Sequence, residues 1–196
     1  MRAIAWLSAL LLIACAGAPP PRTHYLLRAD APDETVRVKA SLPVALGQIA
    51  IAAYLDQPGL VVETEAHQVR PASYHHWAEP LDQGLRRLLR AEISNALGEE
   101  VSATTAPPGE WDYVVDVRID QLHGTLSGDA RLTGGWRLLP RNAEGEVAVY
   151  RFARSAPLPR KGYAGLVEAE IGLVRQLAVA IADSLREVAR EAESAP

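Results

Sequence analysis

The sequence predicts an α+β fold in which a mostly antiparallel sheet carries two long helices packed on one of its faces. Two segments with helical periodicity, beginning near residues 80 and 163, each carry one apolar stripe. Before and between them lie segments in which apolar and polar residues alternate, as in strands that bury one face. The order strands, helix, strands, helix is typical of a single α+β domain.

The N-terminus has the layout of a secretory signal peptide. Arg2 supplies a positive charge, and the apolar run Ile4–Ile13 is about ten residues long, too short to span a bilayer as a helix. Leu12-Ile13-Ala14-Cys15 resembles a bacterial lipobox, and Cys15 is the only cysteine in the chain. We therefore expect residues 1–14 to be a lipoprotein signal peptide and Cys15 to be lipidated. The alternative is an ordinary signal peptide followed by a chance cysteine.

The lipid on Cys15 is expected to hold the folded part close to a membrane. Residues 15–23 form a Pro-rich tether, and polyproline II at ~3.1 Å per residue gives it a reach of only about 25 Å. Residues 24–196 are long enough for a single domain with its own core. Ala16 is not the Asp that retains lipoproteins at the inner membrane of enteric-type bacteria, so the resemblance implies the periplasmic face of the outer membrane.

Composition argues against several classes of protein. The formal net charge is −4, so no basic surface for nucleic acid is indicated. A single cysteine permits no disulfide within one chain, which fits a cysteine reserved for lipid in an exported protein. No second apolar run is long enough to span a membrane.

Short strands are predicted along the first third of the chain, where turn residues separate runs rich in Tyr, Leu and Val. The Pro58-Gly59 pair predicts a turn over residues 54–59. Tyr74–Trp77 is the last segment of this region before the first predicted helix. The predicted strands are Thr23–Arg28, Val36–Ala40 (a weak alternating stretch), Val44–Ile51, and the two hairpin arms Leu60–Glu65 and Gln68–Arg70.

The first helix is predicted between Pro80 and Gly98. Pro80 suits a first helical position because its missing N–H would be unpaired there in any case. Gly98 suits a left-handed residue that ends the helix. The apolar stripe at spacings of three and four consists of Leu81, Leu85, Leu88, Leu89, Ile93, Ala96 and Leu97.

The second half of the domain is predicted as a meander followed by a long helix. After a short strand at Val101–Thr105, the meander strands are Tyr113–Leu122, Asp129–Leu139 and Val147–Ser155, with turns at Pro107–Gly109 and Asn142–Gly145. The helix spans Tyr163–Ala192. Its apolar repeat permits a coiled-coil seam, but Leu166, Leu173 and Leu177 widen the stripe and favour a helix lying on the sheet.

No catalytic or metal-binding pattern stands out, so we expect neither an enzyme nor a cofactor or metal. His75 and His76 are adjacent and would point to opposite faces of a strand, and the other histidines are isolated. Gly134-Gly135 lacks the lysine and helix start of a phosphate loop, so a bulge or the close approach of another backbone explains it better.

Two further segments resemble one family. Ala53–Val61 resembles the tyrosine-leucine-aspartate…proline segment of the ABC-type transport auxiliary lipoprotein components, which include the paraquat-inducible protein C-like lipoproteins. His76–Leu81 resembles the start of that family's first helix. Tyr25 after the lipobox and Trp136 in a late strand match its layout. Gly59 departs from it, because a larger polar residue is expected there.

The resemblance implies a non-catalytic lipoprotein that docks to an ABC transporter or to a mammalian-cell-entry (MCE) domain protein in intermembrane lipid transport. Some relatives form homo-oligomeric rings. Tyr54 and Trp77 are the candidate contact residues, because loop aromatics are favoured at interface hot spots. The alternative for Trp77 is packing onto the core just before the helix. A different hypothesis for the whole protein is a structural or assembly lipoprotein of the outer membrane.

Overall fold

The computed structural model describes residues 20–29, 43–103, 111–125, 127–141 and 147–194 and confirms the α+β class. Eight strands within these ranges form one mixed sheet, and two long helices pack against it. The elements are β1 (Thr23–Tyr25), β2 (Val44–Ile51), β3 (Gly59–Glu65), β4 (Gln68–Trp77), α1 (Leu81–Leu97), β5 (Ser102–Ala103), β6 (Tyr113–Gly124), β7 (Asp129–Pro140), β8 (Ala148–Pro157) and α2 (Tyr163–Ser194).

The predicted meander is confirmed. β6 pairs antiparallel with β7, and β7 pairs antiparallel with β8 along nearly its whole length. The inner face of these strands is buried, as the alternation predicted, and it includes Val115, Val117, Ile119, Leu132, Trp136 and Leu138. The second helix, α2, covers this face, and α1 packs beside it against β2, so one layer of apolar side chains joins the sheet to the helices.

The remaining pairings include parallel ones that the sequence did not indicate. β2 lies parallel to β6, and β3 continues along the same edge of β6 with the parallel pair Val62–Gly124. β4 returns antiparallel to β3, while β1 lies parallel to the end of β4 and β5 parallel to β2. The longest ladders are antiparallel, and the parallel pairs join strands that are distant in the chain.

The first helix is confirmed, with one small shift at its start. Pro80 directly precedes the first helical residue, Leu81, and Gly98 ends the helix with a left-handed φ of 74°. Gly84 lies in the first turns of α1 against the side chain of Leu27, which is 1% exposed. The chain between β1 and α1 is therefore packed onto the helix as well as onto the sheet.

The second helix lies on the sheet and against α1, as its wide apolar stripe predicted. Trp136 of β7 donates a hydrogen bond from Nε1 to Ser184 Oγ (3.0 Å). Arg175 forms an ion pair with Glu92 of α1 (Nε–Oε1 3.1 Å), and Arg186 donates to the backbone carbonyl of Ala96. The two helices are thus joined by polar contacts at the rim of their apolar interface.

Some predicted elements are shorter than expected or lie elsewhere. β1 ends at Tyr25 instead of Arg28. Of the strand predicted at Val101–Thr105, Ser102 and Ala103 form β5, whereas residues 104 and 105 lie outside the described residues. β4 extends beyond Arg70 to Trp77, so the segment that closes this region is itself a strand. The stretch 36–40 and the turns at 107–109 and 142–145 lie outside the described residues.

The glycine pair in β7 is explained by close backbone approach, one of the two predicted reasons. A Cβ on Gly134 would lie 2.1 Å from the carbonyl oxygen of Arg118, and a Cβ on Gly135 would lie 2.4 Å from that of Tyr150. The neighbouring strand β6 also shifts register between Ile119 and Gln121. The ladder between β6 and β7 is therefore irregular next to the point where β7 tolerates no side chain.

Candidate functional site

Tyr54 lies in a short 3₁₀ turn, Ala53–Leu55, which connects β2 to β3. Leu55 is 1% exposed and anchors this turn in the core. The Tyr54 hydroxyl donates to the backbone carbonyl of Asp120 (3.3 Å), and its ring meets His123 edge-on at 6.1 Å between centroids. Burial raises the pKa of Tyr54, with a smaller contribution from the Asp120 carboxylate. The half-buried ring leaves part of its surface available for contact.

The turn after Tyr54 depends on Gly59. Gln57 Oε1 accepts a hydrogen bond from the Gly59 N–H (3.1 Å). A Cβ on Gly59 would lie 2.7 Å from the carbonyl oxygen of Ala72 on β4. The departure from the family pattern noted at this position therefore has a steric reason, because β3 and β4 approach here too closely for a larger residue.

Trp77 is 8% exposed and belongs to the hydrophobic core. Its backbone N–H donates to the carbonyl of Pro58 (2.8 Å), which ties the end of β4 to the turn that follows Tyr54. This position agrees with the alternative interpretation, in which the indole packs onto the core before the helix. Trp77 therefore offers a partner little surface, and it holds the Tyr54 turn in place.

An aromatic cluster that the sequence did not reveal lies where β1, β4 and α2 meet. The Tyr25 hydroxyl and His75 Nδ1 form a hydrogen bond (3.0 Å), and the His75 ring stacks on Tyr163 with 4.0 Å between centroids. On the opposite face of β4, His76 meets His24 edge-on at 5.8 Å. The adjacent histidines do point to opposite faces. β1 and β4 are about fifty residues apart in the chain and meet only in the folded protein. No spacing in the sequence therefore indicates that these residues lie together.

The described residues bring together no metal-binding cluster. Within those ranges, no three His, Cys, Asp or Glu side chains converge closely enough to hold a metal ion. Neither helix in the described part of the chain combines the length and the apolar character needed to cross a bilayer. The lipidation site predicted at Cys15 lies outside the described residues.

Comparison with known protein families identifies the family of this chain. A model of the ABC-type transport auxiliary lipoprotein component family matches residues 25–182, which include every described strand from β2 to β8 and most of α2. The chain belongs to this family. The resemblance of Ala53–Val61 and His76–Leu81 to this family is thereby confirmed at the level of the family.

Individual relatives align with nearly the whole length of this chain. It is 25% identical to the intermembrane transport lipoprotein PqiC of Escherichia coli K12 over 181 residues, which are 92% of this chain and 95% of the relative. A crystal structure of an uncharacterized protein superposes with a TM-score of 0.73 at 24% identity, covering 85% of this chain and 99% of the other.

A second solved structure supports the same fold. The Xanthomonas campestris protein superposes with a TM-score of 0.64 at 17% identity, covering 82% of this chain and 97% of the other. At these identities the two structures show only that the transport auxiliary lipoprotein shares their fold. The arrangement of its sheet and helices therefore occurs in other proteins as well.

Proposed function

We propose that the protein is a lipid-anchored accessory component of an intermembrane lipid transport system, which docks to MCE-domain or ABC transporter subunits from the periplasmic face of the outer membrane. The observation that carries the proposal is the family match over residues 25–182. The intermembrane transport lipoprotein PqiC, matched over 95% of its length, supports the transport role.

The anchor is assigned to Cys15 and the tether to the residues that follow it. Pro20, Pro21 and Arg22 are exposed and lead directly into β1, which is paired with β4. With a tether of about 25 Å, the domain stays beside its own membrane, so the partner has to cross the periplasm to reach it. Tyr54 is the proposed contact residue of the loop, and Trp77 supports it from the core.

Co-purification tests the docking role. Envelopes are solubilised in mild detergent, the tagged lipoprotein is isolated, and its partners are identified by mass spectrometry. We expect an MCE-domain or ABC transporter subunit to be recovered with the wild-type chain. The variant Tyr54→Ala should reduce that recovery, whereas Tyr74→Ala, on the exposed part of β4, should not. Recovery of outer-membrane assembly proteins alone would favour the structural alternative and contradict the proposal.

Fractionation tests the anchor and its location. Cys15→Ala should abolish lipid attachment, so that the chain is found uncleaved or soluble in the periplasm instead of in the outer-membrane fraction. A mature Cys15→Ala protein that still sediments with outer membranes would contradict the lipid assignment. The sedimentation coefficient of the purified wild-type chain tests whether it forms a homo-oligomeric ring, as the resemblance implies for some relatives.

A further inference from the structure

The outer face of the sheet, away from the helices, forms a trough across β6, β7 and β8 with a volume of about 860 Å³. Gly135 lies in its floor and is paired with Arg118 on one neighbouring strand and with Arg151 on the other. Because paired residues point to the same face, two arginines flank a position that carries no side chain. The backbone of β7 at Gly135 is therefore partly exposed between two positions that carry arginine.

The trough carries a surplus of positive charge on an otherwise acidic protein. Arg118 pairs with Asp120 (3.0 Å) and Arg137 with Asp116 (3.0 Å). Arg151, which is exposed, has no carboxylate partner among the residues that the structure describes. Three arginines therefore face two aspartates on this side of the sheet, which leaves one positive charge in excess. The whole chain has a net charge of −4, so this positive surface is local.

The same surface ends in an uncovered edge. β8 pairs with β7 along one side, and within the described ranges no strand pairs with its other side. β8 is ten residues long and pairs without a register shift, and Val149 on its outer face is 68% exposed. Proteins usually protect such edges with bulges, prolines or a covering segment, because free N–H and C=O groups invite another strand.

We propose that the β8 edge and the trough bind an extended acidic segment of a partner protein, which joins the sheet as an additional strand. Side chains of a strand alternate between faces, so an apolar residue opposite Val149 and a carboxylate two positions away would meet Arg151. A second copy of β8 is a poorer occupant. Antiparallel pairing of two copies about Arg151 would place like charges opposite each other.

The identity of the partner rests on the proposed function: the segment belongs to the MCE-domain subunit of the transport system. The test uses the mature lipidated chain in detergent and the purified periplasmic part of that subunit. Arg151→Glu should weaken binding by about tenfold or more, and rising salt should weaken the wild-type complex. The matched control Arg190→Glu makes the same charge change on the exposed end of α2 and should leave affinity unchanged.

Hydrogen exchange of the β8 amides separates strand addition from contact through side chains alone. In the free protein, the amides that point away from β7 should exchange rapidly, and the complex should protect them. If the subunit binds but Arg151→Glu binds equally well and these amides stay unprotected, the surface assignment is overturned and the docking role stands. If the subunit does not bind the wild-type chain, both fail. Protection that rises with concentration of the free chain would identify a second copy as the occupant and overturn the proposal.

Discussion

Glu170 is a buried carboxyl group in the second turn of α2. It is 1% exposed, and its Oε2 atom has no hydrogen-bond partner within the described residues. Burial raises the pKa of Glu170 from 4.5 to about 8. The folded protein therefore holds this proton at neutral pH, whereas the unfolded chain has released it. Folding at neutral pH is accompanied by uptake of a proton at this site.

The pH dependence of stability should reveal this proton. Stability from Glu170 is fully present below about pH 4.5 and is lost as pH rises towards about 8, at roughly 1.4 kcal/mol per pH unit. In Glu170→Leu this component of the slope should disappear, so the variant should be the more stable protein at the alkaline end. Urea unfolding at a series of pH values measures it.

The control for this prediction is Glu191→Leu, which removes an exposed carboxylate from the same helix. It should keep the pH slope of the wild-type protein. An unchanged slope in Glu170→Leu would mean that the carboxyl is ionised in the folded state, and a buried charge would then require a cation nearby.

Single residues were predictable only where the local backbone conformation requires a particular residue type. Gly98 ends α1 in a left-handed conformation, as its position after the apolar stripe indicated. Gly59 departed from the family pattern for a reason that the sequence could not show, since the obstructing carbonyl belongs to Ala72 on another strand. The burial of Trp77 likewise follows from tertiary packing, and both interpretations of it were compatible with the sequence.

At the scale of elements, the contact between α2 and β7 depends on a polar pair in the core. Ser184 is 5% exposed, accepts the Trp136 indole N–H and donates its own hydroxyl proton to the Ile181 carbonyl (2.7 Å). The pair therefore fixes the position of the helix on the sheet. A helix held only by apolar contacts would have more freedom to slide.

Replacing Ser184 by Ala should leave the Trp136 N–H buried without an acceptor. We expect a loss of about 1–3 kcal/mol in the free energy of unfolding, the usual cost of such an unpaired group. Ser155→Ala, on the exposed side of β8, is the matched control and should change stability little. Equal stability of Ser184→Ala and the wild-type protein in urea unfolding would show that the hydrogen bond contributes nothing net.

Helices were the most predictable elements, and strand partners the least. The stripe of α1 and the wide stripe of α2 identify both helices and the faces they bury. The meander from β6 to β8 follows from alternation and short connections. The parallel pairing of β2 with β6 could not be predicted, because an entire hairpin and α1 lie between them in the chain and alternation does not name a partner.

At the scale of the whole molecule, we expect the length of the tether to affect recovery of the partner but not the stability of the domain. Inserting about ten Gly and Ser residues after Ala18 adds a reach of roughly 17 Å. The free energy of unfolding should stay unchanged, because residues 20–22 are exposed and lie before β1. Recovery of the proposed transport partner from envelopes should fall, because the domain is then held less closely to its membrane. A stability loss would show that the tether is part of the fold.

The pairing of β1 also determines how the domain withstands tension. Thr23–Tyr25 lies alongside the last residues of β4, and the Tyr25 carbonyl accepts a hydrogen bond from the Ala78 N–H (2.7 Å). If Cys15 carries the proposed lipid, a pull from the bilayer would reach these hydrogen bonds before those of any later strand. The backbone pairing of β1 with β4 would then be the first part of the described fold to bear mechanical load.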